Sequence, residues 1–377
     1  MPNQFGKEKR TVTIVDVANK AGVSIATASR ALSGRGYASA EVKERVRQAA
    51  SQLNYRLNAS ARSLKVRRTN NIGLVITDIT NPFYSYLADG VLDRAKEKGY
   101  HVILCASNED PELEQAYLKV LMEQRVDGII AVPTSSNPRL WREIADMNTY
   151  LVLVDREIPG LKQADIVMID NVKGAYQATE YLINLGHRRI GMISGPKDTT
   201  TGRDRTKGYI DALRDAGIPV EQELIQGDSF IRENGYHAMC RLLSLPRRPT
   251  AVFAANNVLG EAAIFATRER GLRIPDDLSF LMFDDVPWAA LVQPSVTVIK
   301  QPMHSMGYMC LKMLDDRLQD SSVKLDGHPP LRVVMEPEFI QRESCSPLSS
   351  EPSLSASNED KPKFIPPGLT YPIGGGK

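Results

Sequence analysis

The chain has 377 residues, 42% hydrophobic, 24% charged and 6% aromatic, with 47 Lys/Arg against 45 Asp/Glu for a formal net charge of +2. Such a length exceeds what one core usually serves, so two or three compact units are expected, and the composition excludes a chain disordered throughout. No uninterrupted apolar run could span a bilayer and none follows the charges of residues 1–10, so membrane and exported classes are set aside and a soluble, cytoplasmic protein is expected.

The near-zero charge hides an asymmetry. Residues 1–68 hold fourteen Lys/Arg and four Asp/Glu, while the rest holds 33 and 41. A basic head on an acidic body fits a polyanion-binding module, because each phosphate contact calls for a Lys or Arg. Charge alone fits an ordinary solvated basic face as well. Cys105, Cys240, Cys310 and Cys345 show no CxxC or Cys/His ligand spacing, which points to free thiols and no metal site.

Thr13-Ile14-Val15-Asp16 reads as a capped helix start, and Ile14, Val17, Ala18 and Ala21 then recur at helical spacing. Gly22-Val23-Ser24 supplies a turn, a core plug and the cap of a second helix to about Leu32. On it Ala28 and Leu32 can face inward, leaving Ser24, Ile25, Ala26, Thr27, Ser29 and Arg30 outward. That surface suits a major groove: Arg30 could fork onto guanine and Ile25 could touch a thymine methyl, while the Thr27 and Ser29 hydroxyls suit phosphates. A third helix from about Ser39 repeats Val42, Val46, Ala49 and Leu53 on one face and offers Lys43, Arg45 and Arg47 on another.

A small helical packing unit would show much of this, but the whole string TVTIVDVANKAGVSIATASRAL closely resembles the N-terminal motif of the LacI/GalR family of bacterial transcriptional regulators. The resemblance implies a helix-turn-helix over 11–57 contacting DNA through Thr13, Ser24, Ile25, Ala26, Thr27, Ser29 and Arg30, and a hinge helix and linker over 58–70 contacting it through Asn58, Ala61, Leu64 and Lys65. Asn58 to Leu64 is too short to be stable alone. By the resemblance Leu64 would wedge a minor-groove base step; by itself it would pass for a linker residue. The sequence departs from the family at Ile25-Ala26, where a strong hydrogen-bonding side chain is common, so discrimination would lean on Arg30, methyl contacts and DNA deformability.

From Asn71, apolar β-branched runs (IGLVITDI, HVILCAS, GIIAVP, LVLVD, IVMID, RIGMIS, AVFAAN, SFLMFD) alternate with amphipathic stretches. Such runs imply parallel sheets covered on both faces. Two Rossmann-like subdomains are expected over 71–344, the chain crossing between them near Asp170, near Lys300 and back near Leu325, with helix 302–319 in the first. Ligands bind beyond the carboxyl ends of parallel strands, where the sequence places Asp78, Asn81-Pro82-Phe83-Tyr84, Asp155-Arg156, Asp170-Asn171, Arg203-Asp204-Arg205, Asn256-Asn257 and Asp284-Asp285. Each could equally be a strand-end cap or an interlobe ion pair. Lys300-Gln301 and Trp288 are weaker candidates, and Trp288 fits a core position.

NPFY, VDR, RDRTKGY, FAANN and FDD resemble the sensor domains of the same family and periplasmic monosaccharide-binding proteins. By that resemblance Asn81, Phe83, Asp155, Arg156, Arg205, Asn256 and Asp284 contact the effector; Asp78 is added from its place at a strand end. Carboxylates and guanidinium groups can engage neighbouring hydroxyls and aromatic rings can cover C–H faces, so a sugar-like effector fits. The family pattern further implies a homodimer or higher assembly, a pseudo-palindromic operator, no cofactor, and cleft closure that alters hinge spacing. Residues 345–377, rich in Ser, Pro and Glu, are expected to be a disordered tail. A solute-binding receptor, a sugar-modifying enzyme and a regulator answering to a protein partner are competing readings. The basic head opposes the first, and the second lacks a Walker loop, a GxSxG elbow and a metal cluster.

Overall fold

The computed structural model describes residues 12–33, 37–55, 68–134, 138–147, 149–319 and 329–348. In the head, α1 (Ile14–Ala21) begins at Thr13, whose backbone N–H and hydroxyl both donate to the Asp16 carboxylate at 2.7 Å. Gly22, at φ 66°, ends it in the left-handed conformation that glycine adopts without steric penalty. Helices α2 (Ile25–Ser33) and α3 (Ala40–Gln52) complete a trihelical unit, Ser39 Oγ accepting from the Val42 N–H at 3.3 Å. Its core is Val17, Ala18, Ala21, Ala28, Ala31, Val46, Ala49 and Ala50, with Val23 packed against it. So many alanines bring the helices close.

The body has two lobes. The first is built from β1 (Asn71–Ile76), α4 (Pro82–Lys98), β2 (His101–Ala106), α5 (Pro111–Glu123), β3 (Gly128–Ala131), α6 (Pro138–Asp146), β4 (Tyr150–Val154) and β5 (Ala164–Ile169). The second follows as α7 (Asn171–Asn184), β6 (Ile190–Ile193), α8 (Thr200–Asp215), β7 (Ile225–Gln226), α9 (Arg232–Leu243), β8 (Ala251–Ala254), α10 (Asn257–Glu269), β9 (Ser279–Phe283), α11 (Pro287–Leu291) and β10 (Thr297–Lys300). Helix α12 (Met303–Gln319) and strand β11 (Arg332–Met335) return to the first lobe, and β12 (Glu338–Ile340) joins the second.

The strand orders are β11-β5-β4-β3-β1-β2 and β12-β10-β9-β8-β6-β7. Every pairing is parallel except that of β12 with β10, an antiparallel edge. In each sheet the order reverses at the first strand of the lobe, which opens a crevice at the strands' carboxyl ends. The two crevices face each other. Beside the main apolar interior, a second cluster around the buried Trp141 fills the outer face of the first sheet.

Three boundaries differ from expectation. The third crossing lies between Met335 and Glu338, not near Leu325, because β11 must first pair with β5. Thr69 and Asn70, expected in the linker, are fastened to the first lobe: their N–H groups each donate to the Asp127 carboxylate at 2.8 Å. Cys345–Leu348, expected as disordered tail, pack on the second lobe. Buried His187 brings Nε2 within 3.1 Å of the Ser346 carbonyl, and Leu348 N–H donates to Leu185 O at 2.8 Å. A buried imidazole needs partners, and this segment provides one. Residues 349–377 and the hinge positions Asn58, Ala61, Leu64 and Lys65 lie outside the described residues.

Glycines set the closest helix contacts. Where α4 crosses α12, a Cβ at Gly90 would stand 1.9 Å from the His304 carbonyl oxygen and one at Gly307 1.9 Å from that of Leu87. Gly90→Ala should therefore destabilise the body by about 1–3 kcal/mol through overpacking, despite alanine's better helix propensity. Urea unfolding checks this, and unchanged or increased stability would show that the two helices can separate.

Candidate functional site

The carboxyl ends of both sheets enclose a cleft of about 250 Å³ lined by Asn81, Phe83, Tyr84, Asp155 and Arg156 from the first lobe and Thr201, Arg205, Phe230, Asn256, Asp284 and Gln301 from the second or its crossing. Asp155 directly follows β4 and Asp284 directly follows β9, equivalent strands of the two sheets. Both are left-handed, at φ 65° and 76°, a conformation Asp tolerates better than most residues. The two residues are 5% and 2% exposed, so two carboxylates have been taken out of water.

Their compensation is specific. Arg205, on α8, places Nη2 4.0 Å from Asp155 Oδ1 across the cleft, donates Nε–H to Asn171 Oδ1 at 2.8 Å and Nη1–H to Ala255 O at 2.6 Å, and lies 4.0 Å over the Phe283 ring. Asp284 accepts from Gln301 Nε2 at 2.6 Å and from the Asn257 N–H at 3.2 Å. Burial pushes the Asp155 carboxyl up to about 6, opposed first by Arg205 and then by Arg156. Burial likewise raises Asp284, again opposed by Arg205. Arg156 is gripped by both oxygens of Glu109 at 2.8 and 2.6 Å and lies 5.5 Å from the Phe230 ring centroid of the opposite lobe. Behind it Glu114 accepts the Thr134 N–H at 2.6 Å, and burial lifts its carboxyl to about 7.

Lobe meets lobe elsewhere too: Asn257 Nδ2 donates to Asn81 Oδ1 at 3.1 Å, and Glu157 N–H to Thr200 Oγ1 at 3.1 Å. Asn81 also caps α4 through the Phe83 N–H, as Asn256 caps α10 through that of Leu259. Thr201 Oγ1, Gln301 Oε1 and Arg156 Nε are buried without a hydrogen-bond partner. Three such atoms in one polar cleft leave donors and acceptors open to a bound molecule, a ligand or water.

Of the eight effector candidates the cleft gathers seven. Asp78 is apart: its Oδ1 accepts from the Thr80 N–H and hydroxyl at 2.7 Å each, a turn-capping role. Asp170 caps α7, Asp285 pairs with Arg342 at 2.7 Å, Arg203 pairs with Asp204 at 2.8 Å, Lys300 pairs with Glu338 at 3.1 Å, and Trp288 packs against the core. Sequence reasoning missed Thr201 and Phe230 and ranked Gln301 low. Thr201 stands four residues before Arg205, hence on its helical face. Phe230, isolated in a loop after β7, carried no pattern.

In the head, Ser24, Ile25, Ala26 and Arg30 are exposed, with Thr27 and Ser29 half-buried. Ser24 Oγ accepts the Thr27 N–H at 3.1 Å and Arg30 folds back to donate Nε–H to Ala26 O at 3.2 Å. Thr13 is committed to its cap. Helix α2 thus presents one protruding apolar side chain in its first turn, Ile25, 51% exposed, and one guanidinium, that of Arg30, in its last.

A trihelical head carrying a helix-turn-helix, joined to a two-lobed body with a polar cleft, defines a ligand-controlled DNA-binding regulator. The comparisons agree. Residues 13–58 match the model described as "Bacterial regulatory proteins, lacI family" and 179–345 the periplasmic binding protein-like domain. The HTH-type transcriptional regulator DegA of Bacillus subtilis is 37% identical over 341 residues, covering 90% of this chain and 99% of that one. A lac repressor dimer bound to operator and an anti-inducer matches with a TM-score of 0.76 at 25% identity, over 89% of this chain and 100% of its own. A LacI-family regulator from Enterococcus faecium with bound ribose matches at 0.66 and 28%, over 74% and 100%. The chain belongs to the LacI family of bacterial regulatory proteins and is a DNA-binding transcriptional regulator with a small-molecule effector.

The cleft electrostatics are directly measurable. Arg205→Gln removes the strongest influence holding Asp155 down, so Asp155 should titrate above its value of about 6. Carboxyl-carbon NMR of labelled aspartate checks this, and an unmoved titration would show that Arg205 does not govern that carboxyl.

Proposed function

We propose that the cleft binds a single-ring, sugar-like effector and that its closure governs how a homodimer of the chain grips a pseudo-palindromic operator. The observation carrying the first half is the pairing of buried Asp155 and Asp284 from opposite lobes beside unsatisfied Gln301 Oε1 and Thr201 Oγ1. Carboxylates and an amide oxygen only accept, so their ligand must present several donors, as a polyol does. Phe83 and Phe230, one per lobe, supply apolar faces for C–H groups. The ribose in the Enterococcus faecium relative supports the same class.

The operator surface in this reading is Ser24, Ile25, Ala26, Thr27, Ser29 and Arg30, with Thr13 and the hinge positions Asn58, Ala61, Leu64 and Lys65 completing it. Asn81, Asn256, Arg156 and Arg205 join the two aspartates as effector contacts; Asp78 supports the turn before Asn81. The lac repressor dimer on operator is the precedent for two heads on two half-sites. Effector binding changes the angle between lobes and so the spacing of the two heads. A regulator working this way acts as a repressor on chromosomal DNA in the cytoplasm and performs no chemistry on its effector.

Two outcomes test this. Arg30→Ala should lose about 1–3 kcal/mol of preference for the selected operator over random duplex, with an unchanged melting temperature because the side chain is exposed. Equal selectivity by fluorescence anisotropy would remove Arg30 from base readout. Calorimetry with pentoses and hexoses should find a ligand whose affinity depends on ionised Asp155. That carboxyl sits at about 6 in the free cleft, and hydroxyl donors lower it, so binding should hold above pH 6 and weaken by about tenfold per unit well below it. Silence from every sugar would shift the assignment to a regulator answering a protein partner.

A further inference from the structure

Within the cleft just assigned, we propose that Glu109 is a specificity-determining residue: by occupying the guanidinium of Arg156 it keeps the cleft from accepting anionic, phosphorylated ligands. The inference rests on the effector-site reading of the cleft and adds the charge class of what enters it.

The charges that line the cleft are Asp155, Asp284, Arg156 and Arg205, two of each sign. Glu109 does not line it but is bonded to one that does, and it tips the balance to net negative; Glu114, behind Arg156, adds to this when ionised. The grip is bidentate, Nη1 to Oε2 at 2.8 Å and Nη2 to Oε1 at 2.6 Å, the geometry in which a carboxylate uses a guanidinium most fully. The remaining contacts of those nitrogens are long, 3.4 Å to the Pro133 carbonyl and 3.5 Å to the Tyr84 hydroxyl. Arg156 is 3% exposed, so water does not weaken the pair from its side. An arginine is the residue best shaped to take a phosphate, and here its fork is already taken.

The backbone is bent to deliver that carboxylate. Asn108 and Glu109, just beyond the end of β2, are both left-handed, at φ 53° and 59°. Asparagine adopts this conformation readily and glutamate does not. A glutamate held in such a conformation within reach of a cleft arginine calls for a reason beyond chain reversal. The arrangement also explains why Arg156 lies against Phe230 of the other lobe: clamped from behind, the guanidinium offers the closing lobe a fixed plane.

The test uses full-length protein with isotope-labelled arginine, the Arg156 side-chain signals being assigned through Arg156→Lys. Inorganic phosphate is titrated into wild type, Glu109→Gln and Glu109→Asp. The expected result is no response at Arg156 in wild type or in the aspartate variant, which keeps the charge, and a saturable shift in the glutamine variant. Glu109→Asn, neutral and suited to the left-handed backbone, gives the same reading should the glutamine variant not fold. In parallel, the ratio of affinities for D-ribose 5-phosphate and D-ribose should move toward the phosphate by about tenfold or more in Glu109→Gln. A response to phosphate in wild type equal to that in the neutral variants overturns the proposal, as does indifference of Arg156 in both neutral variants. If wild type binds no sugar while the phosphate response still separates the variants, the sugar reading fails and the role of Glu109 stands.

Discussion

A guanidinium without water must be surrounded by acceptors, and Arg205, one of two arginines buried in the cleft, is served by both lobes and by the crossing between them. It rests on the ring of Phe283, spends two donors on Asn171 and the carbonyl of Ala255, and meets Asp155 from the far side of the cleft. The two aspartates are tolerable in the interior because that charge is there, and the charge is tolerable because they are. The lobes are thereby held near each other by an electrostatic contact that a ligand can replace but that water inside so narrow a cleft replaces poorly. In the proposed reading, whatever donates hydrogen bonds to Asp155 and Asp284 sets the angle between the lobes.

Much of this is legible in the amino-acid sequence. The head was recoverable because helical periodicity, a glycine turn and serine caps all point the same way over a short stretch, and Val17, Ala18, Ala28 and Val46 are buried as that pattern requires. The strand-end rule offered a wider set, from which the family resemblance picked Asn81, Phe83, Asp155, Arg156, Arg205, Asn256 and Asp284, the seven that share one cleft. It failed with Asp78 because a strand-end carboxylate can satisfy a turn as well as a ligand, and nothing local distinguishes the two. Phe230 and Glu109 were invisible for another reason. Their positions depend on loop conformation, on the pair of left-handed residues in the case of Glu109, and left-handed geometry at a glutamate has no sequence signature. Cys345–Leu348 join the second lobe against expectation because the preference of His187 for a carbonyl partner is a tertiary fact, beyond the reach of composition.

Small residues matter at two scales. In the head, alanines let three short helices share a core that larger side chains would force apart. In the body, Gly90 and Gly307 let α4 and α12 touch backbone to backbone, and Gly208 does the same for α8 against the start of α7. Helix α12 starts two residues beyond Gln301, so a residue that faces the cleft is nearly continuous with one of the most tightly seated helices of the first lobe. Close-packed helices have little room to absorb a displacement by sliding, so in the proposed reading one at Gln301 would be passed to that lobe.

The chain passes between the lobes three times, at residues 169–171, 300–303 and 335–338. One such tether would act as a swivel and two as the pins of a door; a third restrains shear and twist, so the opening that remains resembles the bending of a short three-stranded strap. A sensor built on it has close to a single mechanical coordinate. Ligands of different shape would then differ in how far they set that coordinate more than in which motion they select, which lets one and the same movement be read at the far end whatever fills the cleft.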